Sequence, residues 1–494
     1  MKNNLIKLLS FITIISCCAC GELLDKQPLD QLTTDLFYKT ESDADKAILA
    51  AYSPMIDVEW IGKGWMITEI PSDNSQAGGT APDFTPIDNF TVAADNIPIA
   101  NYWAIHYRQV TLANVVVEKV TGMDIPETAK NVFLAEARFL RAVAYFDLVR
   151  VYGGVPLITE APSLDRELFY PRSSPNEVYE LIKADFAFAS EYLPVTRTGS
   201  DAGRATKGAA LAFLAKVNLT TRDYVLARDI AKSVIDLGVY RLLDDYNDNF
   251  ELATSDNNEE AVFQVQYTGC GPFNTGNAMQ AFFAPWGEGI TKDRDGWGSQ
   301  IPTAPILNNP NTTIIDAIGK DDLRRHTSIM LPNAYYPSIN SGDGGYTYPS
   351  RGASAVSANI KKYVVGSGSN ICFMSTPQNA HVIRYSDVLL TYAEAIMIIQ
   401  GGVASDPTAL AAFNQVRTRA GLPAMDSFDA DDILQERRAE FAFEGHRWFD
   451  LLRSGKTVEI MTLHGKNLDE HNLLFPIPSS EIEVNPKLEQ NPGY

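Results

Sequence analysis

Cysteine is scarce in this chain. There are five in 494 residues, and Cys17, Cys18 and Cys20 crowd into one stretch, SCCACGELLDKQP, over residues 16–28. Only Cys270 and Cys372 remain elsewhere, which is too few for a disulfide framework. They are read as free or buried thiols, with pairing in an oxidising compartment left open. A zinc site built on thiolates needs two ligand pairs, and Cys17 with Cys20 forms a lone CxxC with no second pair following. Long apolar runs are missing too. The run at 8–15 is about eight residues, where a membrane-spanning helix needs about 20. Positive charge is in deficit: 41 Lys and Arg stand against 61 Asp and Glu, a formal net charge of −20. That argues against nucleic acid, which is held by clustered cations on phosphates, and against charge-driven binding to an anionic membrane. Signature motifs of catalysis are absent as well. There is no HExxH and no GxSxG. SGKT at 454–457 resembles the end of a phosphate loop, but Asp450 stands where its first glycine belongs. DRDGWG sets Asp293, Asp295 and Gly298 in an EF-hand-like order, yet Trp297 and Ala304 fall on the fifth and twelfth positions, where ligands are needed. No cofactor is expected, and calcium is the weaker alternative.

What is present starts with MKNNLIKLLSFITII. Lys2 and Lys7 flank a short apolar segment, the pattern of a secretory leader that is removed and carries no fold information. Ala19 precedes Cys20 and Gly21 follows, as in a bacterial lipobox. The Cys20 thiol would take a diacylglycerol and the freed amine an acyl chain. At about 0.8 kcal/mol per buried methylene, two or three chains anchor a protein permanently. Residues 1–19 are therefore read as a signal peptide and 20–39 as a lipidated tether.

The chain as a whole is 45% hydrophobic and 21% charged, a globular composition. In TESDADKAILAAYSPMIDV, Thr40 and Asp43 have capping-box spacing, and apolar residues then recur at helical intervals. Periodicity lapses over 60–97 and returns in IANYWAIHYRQVTLANVVVEKV. The next segment, PETAKNVFLAEARFLRAVAYFDLVRVYGGVPL, has Pro126 at its start and Gly153-Gly154 at its stop. Ser174 and Pro175 open a further helix, and Pro194 ends it. TKGAALAFLAKVNL and DYVLARDIAKSVIDLG read as an antiparallel hairpin resembling a tetratricopeptide unit. EEAVFQVQY alternates as a short strand does. From 268 to 380 the chain is irregular but too rich in aromatics to be disordered. Helices resume with RYSDVLLTYAEAIMIIQGG, DPTALAAFNQVRTRAGLP and DDILQERRAEFAFEGHRWFDLLRSG, before an extended, proline-punctuated tail. The expected fold is mostly α, a tetratricopeptide-like helical-hairpin scaffold of about four helix pairs with long irregular loops and a few short strands. Its regions are 40–250 and 251–494, the second including the loops 268–380.

In order along the chain, CGELLDKQP, AEARFLRAVAYFDLVRVYGGVPL, RATKGAALAFLAKVNL, RYSDVLLTYAEA, NQVRTRAGLP, ERRAEFAFEGHRWFDLLRSG and LFPIPSSEIEVNPKLEQNPGY resemble the SusD/RagB family of outer-membrane nutrient-binding lipoproteins of Bacteroidetes. The resemblance spans nearly the whole chain. It implies a helical scaffold whose loops form a ligand face, and a lipid anchor on the cell exterior. It also implies a TonB-dependent SusC-like β-barrel transporter as partner and a ligand that is mostly glycan, sometimes peptide. Acidic residues often follow the lipid cysteine directly in such proteins; this chain departs from that pattern, with only Glu22 there and Asp25 further on.

A sugar offers a C–H face to an aromatic ring and hydroxyls to short polar side chains. Two irregular regions have that mixture. One holds Trp60, Trp65, Asp73 and Asn74; the other holds Trp286, Asp293, Arg294, Asp295, Trp297, Tyr335 and Tyr336. Four of the six tryptophans lie in them. The expected ligand contacts are Trp65, Asp73, Asn74, Trp286, Asp293, Arg294, Trp297, Tyr335 and Tyr336. The plainer alternative is that these aromatics pin the loops to the scaffold. Glu436, Glu440 and Glu444 share a helix face with Arg437 and Arg447 nearby, and are read as structural ion pairs rather than an acid and base. Likewise His446 is read as structural. Against this non-catalytic reading stand a glycoside hydrolase, which would set Asp73 opposite Asp293 across an aromatic cleft, and a helical adaptor that binds only protein.

Overall fold

The structure is a computed structural model. It describes residues 37–494 apart from 164, 272–274, 292–295, 304–312, 351–357 and 369. The leader, Cys20 and the tether up to 36 lie outside the described residues.

Helix α1 (Glu41–Tyr52) opens on a complete capping box between Thr40 and Asp43 and buries Ala44, Ala47, Ile48 and Ala51. Helix α2 (Gly62–Glu69) lies where the periodicity lapses, and nearly all of it is buried. A helix that is covered all round has no polar face, so no period marks it in the sequence. Helices α3 (Ile97–Thr121), α4 (Glu127–Tyr152), α5 (Pro175–Tyr192), α6 (Lys207–Thr220) and α7 (Tyr224–Asp236) follow. Ser174 caps α5 with a capping box. Gly153, at φ +74°, stops α4 in a conformation that side chains rarely tolerate. After the loop region come α8 (Tyr385–Ile399), α9 (Pro407–Arg419), α10 (Ala430–Glu440) and α11 (Arg447–Ser454).

Each of α3 to α9 packs on its successor, so the helices form a zigzag stack, a tetratricopeptide-like scaffold. The stack is not continuous in sequence. Between α7 and α8 the chain leaves for well over a hundred residues, and α8 then packs directly on α7. The departing strand β2 (Ala261–Val265) and the returning strand β8 (Ala380–Arg384) pair antiparallel, with Ala261 opposite Arg384. This pairing closes the neck of the excursion. Inside it, β3 (Gln300–Pro302) pairs with β1 (Ser75–Ala77) from the N-terminal irregular region. Strand β4 (Ile329–Met330) pairs with β7 (Asn359–Ile360), and β5 (Tyr335–Tyr336) with β6 (Tyr346–Thr347).

Cys270 and Cys372 are joined by a disulfide. The reading of free thiols is thereby corrected. Although 102 residues separate them, the antiparallel bridge between Asn277 and Thr376 and the bond from Asn370 Nδ2 to the Thr268 carbonyl bring their segments side by side.

The neck is sealed by charge. Arg384, at the end of β8, is buried and donates to Glu260 (2.6 Å), Glu440 (2.7 Å) and both oxygens of Glu444 (2.9 Å each). Arg419 reaches Glu260 and Glu440, and Arg324 reaches Glu436, Glu440 and Asp322. Such a network adds little net stability but penalises any packing that leaves a member unpaired. The carboxylates of the last helices are thus structural, fixing α10 against the neck. His446 is buried and stacks on Phe441.

Candidate functional site

The two irregular regions singled out by sequence do meet. They join through backbone: the β1–β3 pairing, and Thr303 N donating to the Asn74 carbonyl at 3.0 Å. The nine side chains that were expected to face a ligand do not share one fate.

Four of them are buried. Asp73 accepts from Arg447 at both oxygens (2.7 and 2.9 Å) and pairs with Arg438 at 3.1 Å. Burial alone would raise its carboxyl, but Arg438 and Arg447 together hold it well below the ordinary carboxylate range. Asn74 receives Arg438 Nε at 3.0 Å and donates to Glu69 at 2.8 Å. Glu69 in turn accepts the backbone N–H groups of Phe443 and Gly445, capping the turn between α10 and α11, where Phe443 adopts φ +65°. Asp73 and Asn74 therefore lock the N-terminal region onto the last helices and have no face toward solvent. Trp65 is covered as well, edge-on to Tyr363 at 5.9 Å and against the backbone of Gly445. Tyr336 is fully buried; its hydroxyl donates to the Ile329 carbonyl and accepts from Leu331 N. For these four the expectation of ligand contact is corrected. Sequence shows that a residue is polar or aromatic in a loop, but not which way the loop folds over it.

Trp297 is half-buried, wedged between Phe282 (5.3 Å) and Phe373 (5.0 Å), and its carbonyl accepts from the Thr80 hydroxyl. It pins the loop layer, as the plainer reading had it. Asp293 and Arg294 lie outside the described residues. With Asp73 spent on two arginines, the facing pair Asp73 and Asp293 that a hydrolase would use lacks one member.

Two of the expected residues stand out in solvent. Trp286 is 62% exposed and Tyr335 52%, unusual for large aromatics in a folded chain. Both sit on braced backbone. Asn359 Nδ2 donates to the Phe283 carbonyl (3.3 Å), three residues before Trp286, and its Oδ1 accepts from Tyr348 OH at 2.8 Å. Tyr348 N donates to the Ala334 carbonyl, next to Tyr335. Asn359 thus ties the turn bearing Trp286 to the hairpin bearing Tyr335. Tyr335 OH donates to the Gly344 carbonyl at 2.9 Å, which fixes the ring. A ring held in place loses little entropy when a ligand stacks on it.

Sequence reasoning singled out none of the residues lining a cleft beside this layer except Tyr336. The cleft, of about 770 Å³, lies between 244–251, 323–327 and 336–338. Its polar residues are scattered through the chain and form no motif. Among the described residues no group of His, Cys, Asp and Glu is placed to hold a metal ion, and no helix is long and apolar enough to cross a membrane.

Two family models match the chain. One, described as the SusD family, covers residues 259–494, and the other, described as starch-binding associating with outer membrane, covers residues 23–219. A SusD-like protein of Bacteroides ovatus is 30% identical, over 92% of this chain and 82% of its own length. Among solved structures, a laminarin-binding SusD-like protein is 28% identical with a TM-score of 0.75, covering 92% of this chain and all of its own. A structure with a xylogluco-oligosaccharide is 27% identical with a TM-score of 0.76, covering 89% and 97%.

Proposed function

Since this chain belongs to the SusD family, we propose that it is a lipid-anchored protein of the cell exterior. In this reading it captures oligosaccharides on its loop layer and passes them to a SusC-like TonB-dependent β-barrel in the outer membrane. It needs no cofactor, because the work is adsorption and release.

The observation that carries this reading is the pair of exposed rings, Trp286 and Tyr335, on a layer cross-linked by β-pairing, a disulfide and the ionic neck. The naming of one similar protein for laminarin and of another structure for a xylogluco-oligosaccharide supports glycan as the class. Asp293 and Arg294, between Trp286 and Trp297 in the chain, supply hydroxyl partners in this reading. Stacking adds about 1 kcal/mol per aromatic pair beyond burial, so a few contacts give weak, reversible capture, as suits cargo that must be handed on.

The test is a glycan panel that includes laminari- and xylogluco-oligosaccharides, with a peptide panel beside it. Trp286→Ala and Tyr335→Ala are each expected to weaken glycan binding about five- to tenfold, a loss of about 1 to 1.4 kcal/mol. Unchanged affinity in both variants refutes the site. Binding confined to peptides refutes the ligand class.

A further inference from the structure

The hairpin β5–β6 has two sides, because successive strand residues point in opposite directions. Tyr335 faces out. Tyr336 faces in and is buried beneath His326, with ring centres 4.4 Å apart, and the exposed His326 ring with Leu323 forms the apolar wall of the 770 Å³ cleft. That volume is ordinary for a small-molecule site, about 300–1,000 Å³. His326 Nε2 donates to the Tyr335 carbonyl at 3.1 Å, which leaves Nδ1 as an acceptor. The cleft therefore backs directly onto the hairpin that displays the exposed ring.

The rest of the lining is mostly polar and includes three carboxylates, Asp244, Asp245 and Glu251. Asp245 spends one oxygen on Asn247 N, and Asp244 is fully exposed, with Arg241 only at 3.8 Å. The Ser338 hydroxyl adds a group that can both donate and accept. The two cations in the lining are already paired: Lys361 with Glu251, also in the lining, at 2.9 Å, and Arg419 with Glu260 and Glu440. An anionic ligand would meet Asp244 and Asp245 with no free counter-charge. An uncharged polyol meets an apolar wall for its C–H face and acceptors for its hydroxyl protons.

We propose that this cleft is a second saccharide subsite, distinct from the exposed Trp286 and Tyr335, that accepts uncharged sugar units and rejects uronates and sulfated sugars. The proposal rests on the glycan-binding reading and adds a place and a charge selectivity to it.

Titration calorimetry and ligand-observed NMR on the full mature chain test it, with maltohexaose, laminarihexaose and a xyloglucan oligosaccharide as probes. In a Trp286→Ala, Tyr335→Ala background, weak binding of at least one probe is expected to persist. Ser338→Trp, which fills the cleft, is expected to lower that residual binding at least tenfold. Leu323→Asp is expected to lower it several-fold, and because Leu323 is 63% exposed this second variant leaves the core untouched. A galacturonic acid hexamer is expected not to compete. Loss of all binding in the aromatic background overturns the second subsite while leaving the first in place. Residual binding indifferent to both cleft variants, or equal competition by the galacturonate, also overturns it. If no probe binds the wild-type chain, the glycan reading falls and this subsite falls with it.

Discussion

Buried titratable side chains dominate this protein at the scale of single residues, and they push its acid stability in opposite directions. Burial lowers the His381 imidazole to about 4, and burial beside Lys216 lowers that of His446 to about 3. Both rings accept or donate as neutral groups, His446 Nδ1 from Lys216 at 3.1 Å and His381 Nε2 to the Asn249 carbonyl at 3.0 Å. An unfolded histidine takes up its proton near 6.5, so the stability these rings contribute is complete above that pH. It is lost as pH falls toward their folded values, by up to about 1.4 kcal/mol per pH unit each. Glu69 runs the other way. Burial raises it to about 7 from an ordinary 4.5, so acidification between 7 and 4.5 favours the fold. Below 4.5 Glu69 contributes no further change. Glu444, which Arg384 and Lys362 draw down to about 2 against the opposing effect of burial, then adds a loss of its own. The urea midpoint should therefore fall gently from pH 6.5 to 4.5 and at least twice as steeply below it. A uniform slope through that range would contradict the assignment. The caps at Thr40 and Ser174 were legible because a cap is a local pattern of a few residues. The burial of Asp73 and Asn74 was not, because Arg438 and Arg447, which bury them, lie more than 360 residues away.

Among elements, the loop layer depends most on its cross-links. Cys270–Cys372 closes a span of 102 residues, and Phe373, beside Cys372, supports Trp297. Loop-closure entropy for such a span amounts to about 4 to 5 kcal/mol, and measured effects commonly run about 2 to 4. Replacing both cysteines with serine should lower the unfolding free energy by about 2 to 4 kcal/mol in denaturant titrations. Loss of less than about 0.5 kcal/mol would mean that the β-pairings alone hold the layer. The amphipathic helices were readable from periodicity, down to the buried face of α1. Helix α2 was not, since it is wrapped on every side, and neither were the two-residue strands, which are too short to show alternation. The disulfide escaped because two cysteines far apart in sequence carry no sign of proximity until the strands between them are placed.

For the whole molecule, attachment and charge are separate matters. The chain is acidic overall, and its formal charge becomes two units more negative once Lys2 and Lys7 leave with a cleaved leader. Charge alone would then keep it off an anionic bilayer, and acyl chains on Cys20 supply the attachment in the proposed reading. Cys20→Ser should move the protein from the membrane fraction to the soluble one, and intact-mass analysis should show the loss of the lipid adduct. A membrane-bound serine variant would point to another anchor. The class of fold and the lipid attachment site were both suggested by the sequence, the first by repeated helical spacing and the second by a leader next to a cysteine. The ligand face was suggested only in outline, because the curvature of a loop layer is decided by contacts made across the entire chain. One feature of the architecture bears on how such a chain diversifies. Because β2 and β8 shut behind the detour and α8 settles back on α7, the outer turns of the head lie beyond the helical stack, and only its inner residues, such as Arg324 and Lys362, reach the last helices. Evolution can lengthen or exchange those outer turns while the helical stack beneath stays as it was.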